Sequence, residues 1–264
     1  MEIRLINKDE VTIIEQCQRL AQQNYLDNMV LLRDLYPPCI HLTKIYGLFE
    51  SRVNLVSFFV IFEGFKDSSI VLPVKQKQSY FTSIMDFLIE DLPDSFIFLS
   101  LELKKENIED YFHVKDFHTD FCMTLSSTQE LPIITSPYLK VASAQDLDRI
   151  DSFYKSIGSS PWHPSQMDSG YYHYIEINDQ IVACGGTHFE TPQLAQLGNI
   201  FVLEKFRRQG FGLILTIAIT RKVLDEKKTA TLFVNQYNKP AQDLYNKLGF
   251  KIHKPANLFI CNKR

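Results

Sequence analysis

The stretch Val234-Asn235-Gln236-Tyr237-Asn238-Lys239-Pro240-Ala241-Gln242-Asp243-Leu244-Tyr245-Asn246-Lys247-Leu248-Gly249-Phe250 decides how this chain is read. An apolar run, Thr229–Val234, enters it as a strand. Pro240 stands where a helix begins, because a first-turn residue has no use for its N–H. Gly249 closes that helix, Pro240–Leu248, as a C-cap, and Phe250 reads as the packing residue that follows. Asn238 has the side chain of an N-cap. Upstream, Arg207-Arg208-Gln209-Gly210-Phe211-Gly212 lies between a strand, Leu194–Val202, and a helix, Leu213–Lys228, with apolar residues at Leu213, Ile217, Ile219 and Val223. Two glycines there let backbone N–H groups converge, and the helix adds its partial positive N-terminus, which suits a pyrophosphate. The run is neither the GxxxxGK[ST] of P-loops nor the GxGxxG of dinucleotide folds.

Working back from this pair, residues 138–264 alternate between strands and helices. Tyr138–Ala142 reads as a strand and Ala144–Ser156 as a helix. A loop from Gly158 to Gly170 carries Trp162 and His163. Tyr171–Ile177 and Gln180–Phe189 form a hairpin about Asn178-Asp179, and Phe250–Ile252 and Leu258–Cys261 close the sheet. The first half repeats this plan faintly. Residues 48–56 read like residues 175–182, and Phe62-Glu63 answers Phe189-Glu190. Asn107 through Phe117 sits where Asn238 through Phe250 would. A repeat this long points to domain duplication, far above the ~20–50-residue periods of solenoids, or else to two α/β domains that share common patterns. The expected organisation is residues 1–131, a linker at 132–137 around Pro132 and Pro137, and residues 138–264.

Composition narrows the function. The chain has 264 residues, 28 basic and 31 acidic, and is 45% hydrophobic, which describes an ordinary globular protein. Its 20 Phe and 12 Tyr exclude a disordered chain. No apolar run approaches a membrane span, and Met1-Glu2-Ile3-Arg4-Leu5 has no signal-peptide form, so no membrane and a cytoplasmic location are expected. Five scattered cysteines without CxxC argue against disulfides and structural zinc, and the histidines lack HxxxH or HExxH spacing. No bound metal is expected. Residues 1–132 hold 20 acids and 12 bases, net −8; residues 133–264 hold 11 acids and 16 bases, net +5. Eight of the ten glycines fall in the second half. Drift between unrelated domains explains this as well as an anionic ligand on the second half does. Nucleic acid is not indicated, since no dense Lys/Arg stripe is present.

The pattern N-x-x-A-x-x-L-Y-x-x-x-G-F from Asn238 to Phe250, following R-x-x-G-x-G at Arg207–Gly212, resembles the GNAT acetyltransferase superfamily over residues 138–264. The first half resembles a degenerate copy. It has Val74-Lys75-Gln76-Lys77-Gln78-Ser79-Tyr80 where the glycine loop should lie, and only Asp110-Tyr111-Phe112 and Asp116-Phe117 where Leu-Tyr and Gly-Phe should. The implied fold is α/β: two GNAT-like domains in tandem, each a mixed central sheet flanked by helices.

The resemblance implies acetyl-CoA as donor and a small-molecule or protein amine as acceptor, with a homodimer left open. Backbone amides from Arg208 through Gln209, Gly210, Phe211 and Gly212 to Leu213 would hold the pyrophosphate, with Arg207 and Arg208 adding charge. Ile200, Phe201 and Val202 would pair with the pantetheine arm, one N–H polarising the thioester carbonyl. Asn238 would bond the cofactor arm, cap its helix, or both. Tyr245 is the candidate acid for the leaving thiolate, or else a core tyrosine. The base is less legible, since Leu194–Val202 holds no Asp or Glu. His188 and Glu190 are the candidates; strict alternation puts both on the face of Cys184 and Gly186. Trp162, His163, Tyr171, Tyr172 and His173 flank the loop that roofs the acceptor pocket in such folds, and most read as core. No cysteine sits in a nucleophile motif, so transfer would be direct. A non-catalytic CoA-binding regulatory or interaction module is the competing reading.

Overall fold

A computed structural model describes the chain except residues 52–53, 65–66, 128–130 and 159–161. Two compact units emerge: Met1–Asp120 with Pro255–Arg264, and Phe121–Lys254. The division departs from the expected one twice. The boundary falls at residue 120, not within 132–137, and the last ten residues belong to the first unit.

In the first unit the elements are β1 (Glu2–Ile6), α1 (Val11–Gln22), α2 (Met29–Asp34), β2 (Thr43–Ser51), β3 (Asn54–Phe62), β4 (Ser68–Val71), α3 (Gln78–Asp91), β5 (Ser95–Ser100), α4 (Lys105–Glu109) and the start of β6 (His113–Leu125). The second holds the end of β6, then β7 (Leu139–Val141), α5 (Leu147–Ser156), β8 (His173–Ile177), β9 (Gln180–Glu190), β10 (Leu194–Val202), α6 (Phe211–Asp225), β11 (Thr229–Asn235), α7 (Lys239–Lys247) and the start of β12 (Lys251–Asn262). Where two strands were expected after Phe250, β12 is continuous. Its residues Asn257–Asn262 pair antiparallel with Ser95–Ser100 of β5.

Strand order in the first unit is β1-β2-β3-β4-β5-β12, and in the second β7-β8-β9-β10-β11-β6. Each runs antiparallel until one parallel pair, β4/β5 or β10/β11. A parallel pair needs a crossover, and α3 and α6 supply it. The sixth strand of each sheet therefore comes from the other half of the sequence. Phe259 and Cys261 of β12, both fully buried, pack with Phe96, Phe98 and Met85 in the first unit's core. Each such aromatic burial contributes about 1.5–3 kcal/mol.

Local signals account for the second unit's elements. Asn178 and Asp179 have φ of 48° and 60°, the left-handed pair that a two-residue hairpin turn demands. One face of the sheet is covered by α6, whose Leu215, Ile217, Ile219 and Val223 pack with Tyr171, Ile175, Val182 and Leu197. The other is covered by α5, where Ile150, Phe153 and Tyr154 meet Tyr172, Tyr174 and Cys184. Leu213, expected on the apolar face of α6, is instead exposed at its first turn. No helix among the described residues is long and apolar enough to cross a membrane.

Candidate acyl-donor site

The parallel ladder between β10 and β11 joins Leu194–Leu197 to Thr229–Leu232 and goes no further. Beyond it β10 bulges and the strands part. A cleft of about 450 Å³ opens there, between the end of β10, the first turn of α6 and the start of α7.

The chain enters α6 through a tight loop. Arg208 and Gly210 have φ of 63° and 84°, and Gly210 is the N-cap residue. Only glycine adopts the Gly210 conformation without steric cost. No side chain caps α6. Among the described residues, the N–H groups of Arg208 to Leu213 have no protein partner. Unpaired first-turn amides on a fifteen-residue helix favour an anion at that point. Arg207 is turned back on the strand, Nε donating to Val202 O at 3.3 Å with its guanidinium 5.8 Å from the Phe201 ring.

Of the residues expected to hold a cofactor, Ile200, Phe201, Val202, Arg207, Arg208, Gly210, Phe211, Gly212, Leu213 and Asn238 line this cleft. Gln209 and Tyr245 do not. Phe206, Pro240, Ala241 and Leu244 line it as well. The last three were missed in the sequence; they lie on one face of α7, and the i, i+4 spacing from Pro240 to Leu244 is the signal that could have found them.

Asn238 does what a cap does, its Oδ1 accepting the Ala241 N–H at 3.3 Å, while also facing the cleft. Tyr245 packs with Ala241 and Leu244 on the α6 core, its ring 5.9 Å from Phe250. Burial pushes its phenol above the ordinary tyrosine range, so it stays protonated.

The two candidate bases are both committed elsewhere. Glu190 is ion-paired with Lys228, which also donates to the Tyr171 hydroxyl at 2.9 Å. Burial lowers the Lys228 pKa, but its bonds to Glu190 and Tyr171 outweigh that and the net shift is upward. His188 Nε2 accepts the backbone N–H of Asn199 at 3.1 Å. The expectation that strict alternation holds from Cys184 to Glu190 fails. Phe189 pairs with Gln196 but Thr187 with Leu197, so His188 is an extra residue in β9. A bulge shifts everything beyond it by one face. Glu190 accordingly stands beside Tyr171, in the α6 core, whereas Cys184 belongs to the α5 core.

Around the acceptor-loop residues the plain reading prevails. Trp162 stacks on Tyr154 at 4.4 Å and donates Nε1 to Asp151 at 3.1 Å. Tyr171 and Tyr172 are buried, His173 is buried with Nδ1 2.9 Å from Tyr171 O, and His163 caps the 3-10 turn Pro164–Ser169. Within that loop, residues 159–161 lie outside the described residues.

Comparison with known proteins bears on the fold. Residues 181–259 match the family model of FR47-like proteins. No curated protein matches the chain in sequence. An acetyltransferase from the GNAT family of Colwellia psychrerythraea aligns over 99% of this chain and 100% of its own, at 16% identity and a TM-score of 0.68. A tandem GNAT protein from the clavulanic acid biosynthesis pathway aligns over 100% and 99%, at 11% identity and 0.66. A GCN5-related N-acetyltransferase from Sphaerobacter thermophilus aligns over 100% and 96%, at 12% and 0.62. At these identities the likeness is one of fold. The chain thus has the tandem fold of GNAT proteins, and all but the last five residues of the FR47-like match, 181–259, fall in its second unit.

Proposed function

We propose that the second unit is an N-acetyltransferase that uses acetyl-CoA and passes the acetyl group directly to a primary amine. The observation that carries this is the row of unpaired amides from Arg208 to Leu213 at the mouth of a cleft where β10 and β11 separate. The residues present fit such a donor. The α6 amides meet the pyrophosphate, Arg208 adds charge, and the open edge of β10 at Ile200–Val202 offers backbone groups to an extended arm. Acetyl-CoA supplies an activated acetyl group as a thioester.

In the transfer, a β10 N–H polarises the thioester carbonyl, the kind of fixed donor that stabilises developing negative charge. The amine, having lost one proton to solvent, forms the new N–C bond as the C–S bond breaks, and the nitrogen gives up a second proton to solvent as the amide forms. Tyr245, packed beside the cleft-lining Ala241 and Leu244, gives its phenolic proton to the departing thiolate and is reprotonated from solvent. One proton is released per acetyl group moved.

One observation favours a non-catalytic CoA-binding module instead: His188 and Glu190 are both held by other groups. Steady-state thiol release from acetyl-CoA against a panel of amines decides between the two. Amine-dependent release supports the enzyme. CoA binding without release for any amine supports the module.

A further inference from the structure

Two irregularities lie side by side in the second unit. In β9, the register moves by one between Thr187–Leu197 and Phe189–Gln196, which makes His188 the extra residue of a bulge. In β10, Gly198 pairs with Gly186 and Phe201 with Cys184, so Asn199 and Ile200 together face the single residue Gly185. Asn199 has a φ of 53°, the left-handed region that a non-glycine residue enters only when its surroundings hold it there. Those surroundings are explicit. The Tyr154 hydroxyl donates to Asn199 O at 2.8 Å, and Asn199 Nδ2 donates to Gln166 Oε1 at 2.8 Å and to the Tyr172 hydroxyl oxygen at 2.9 Å. The backbone N–H goes to His188 Nε2 at 3.1 Å. The His188 ring lies directly over Gly198, where an added Cβ would fall 1.5 Å from Cδ2. Three residues, Ile200, Phe201 and Val202, follow and line the donor cleft.

We propose that His188 is a positioning residue: by accepting the Asn199 N–H it locks the β10 bulge and so aims Ile200–Val202 into the cleft. The role rests on the donor-site reading above. It requires a neutral imidazole with its proton on Nδ1, because Nε2 must offer a lone pair. That lone pair is then unable to serve as the general base. Gly198 belongs to the same device, since only a residue without a side chain leaves room for the ring.

The substitutions that test this exploit reach. Glutamine places its amide oxygen near the position of Nε2, and asparagine falls short of it. His188→Gln is expected to keep CoA affinity, measured by calorimetry, within about threefold of the wild type, a loss of under ~1 kcal/mol by the usual conversion. His188→Asn should weaken CoA binding, and acetyl transfer with it, by as much as about 10²-fold, the scale of a small misplacement of a binding group. Gly198→Ala should copy His188→Asn by displacing the ring. Hydrogen exchange gives a readout free of ligand: the Asn199 amide should be protected in the wild type and His188→Gln, and fast in His188→Asn. If both His188 variants bind CoA normally while both lose turnover, His188 is a base and the proposal is overturned. It is overturned equally if His188→Asn lowers only the melting temperature and leaves CoA affinity intact. Should no amine be acetylated, the enzyme reading fails, yet CoA affinity and Asn199 exchange still judge His188.

Discussion

The two units share one strand order and one parallel crossover, yet they treat the loop before the crossover helix in opposite ways. In the second unit, glycine at 210 sets an open turn and the amides from Arg208 to Leu213 are left unpaired. In the first, the corresponding loop runs through Val74 and Lys75 without a glycine. Asn28 Oδ1 accepts the Val74 N–H at 3.0 Å, and the Glu102 carboxylate accepts the Lys75 N–H at 2.7 Å. Lys75 keeps a left-handed φ of 57°, so the turn survives while a side-chain carboxylate fills an anion's place beside it. The cavity there is about 200 Å³, against about 450 Å³ in the second unit. The helix that follows, α4, spans five residues against nine in α7, and no tyrosine stands within it. The two units thus share a scaffold more fully than they share a site, because packing constrains the one and a handful of free amides constitutes the other.

The sharpest way to break this contrast is to count sites. Calorimetric titration with CoA should find one site per chain, and two would end the distinction between the units. Gly210→Val should remove that site. Its Cβ would meet no protein atom, but φ of 84° strains any branched residue by about 1–3 kcal/mol. The side chain would also project where phosphates approach the α6 amides. Binding should fall below detection with only a modest drop in melting temperature.

What the sequence showed of this site was what local chemistry writes into it. Gly210, Asn238, Pro240 and Gly249 each mark a backbone position with a special demand, and all four stand where expected. The Asn178-Asp179 turn was legible for the same reason. Long-range choices were not. Alternation in β12 buries Phe259 and Cys261 in whichever sheet receives them, so nothing in the strand's own pattern told which it joins. Placing it in the first unit, with the boundary at residue 120, also shrinks the charge contrast. The units carry net −5 and +2, where the expected halves carried −8 and +5. The repeat shifts as well: Phe250, one residue before β12, answers to Phe112, one residue before β6, and not to Phe117. Phe112 and Phe250 are buried, whereas Phe117 is 38% exposed. The bulge at His188 was hidden because periodicity assumes an unbroken ladder, and the Glu190–Lys228 pair because its members stand 38 residues apart in sequence.

Next in size is the chemistry the first unit lacks. Tyr245→Phe removes only a hydroxyl from a ring already packed against Phe250. A general acid contributes about 10²–10⁴-fold. Turnover should fall by that order while CoA affinity stays put, since the proton is needed in the transition state and not in binding. Wild-type turnover under conditions where chemistry limits the rate would return Tyr245 to the core. Asn238→Ala should be milder. Loss of the cap to Ala241 costs about 1 kcal/mol of stability. Any weakening of CoA beyond that reports the second role, and melting curves with and without CoA separate the two.

The smallest effect tests the first unit itself. Glu102 is exposed, so the bond from Lys75 N–H to its carboxylate competes with water. Glu102→Ala should therefore cost about 0.5–1.5 kcal/mol at most. If the carboxylate alone kept CoA out, its removal would create a second site in the titration. The geometry argues otherwise. Freeing Lys75 leaves Val74 still bound to Asn28, a loop without glycine, and a cavity under half the volume of the working cleft. The Glu102→Ala protein should accordingly still bind CoA at one site per chain. A second, weaker site would mean that the first unit is plugged and not lost, and that one carboxylate separates the two halves of the molecule.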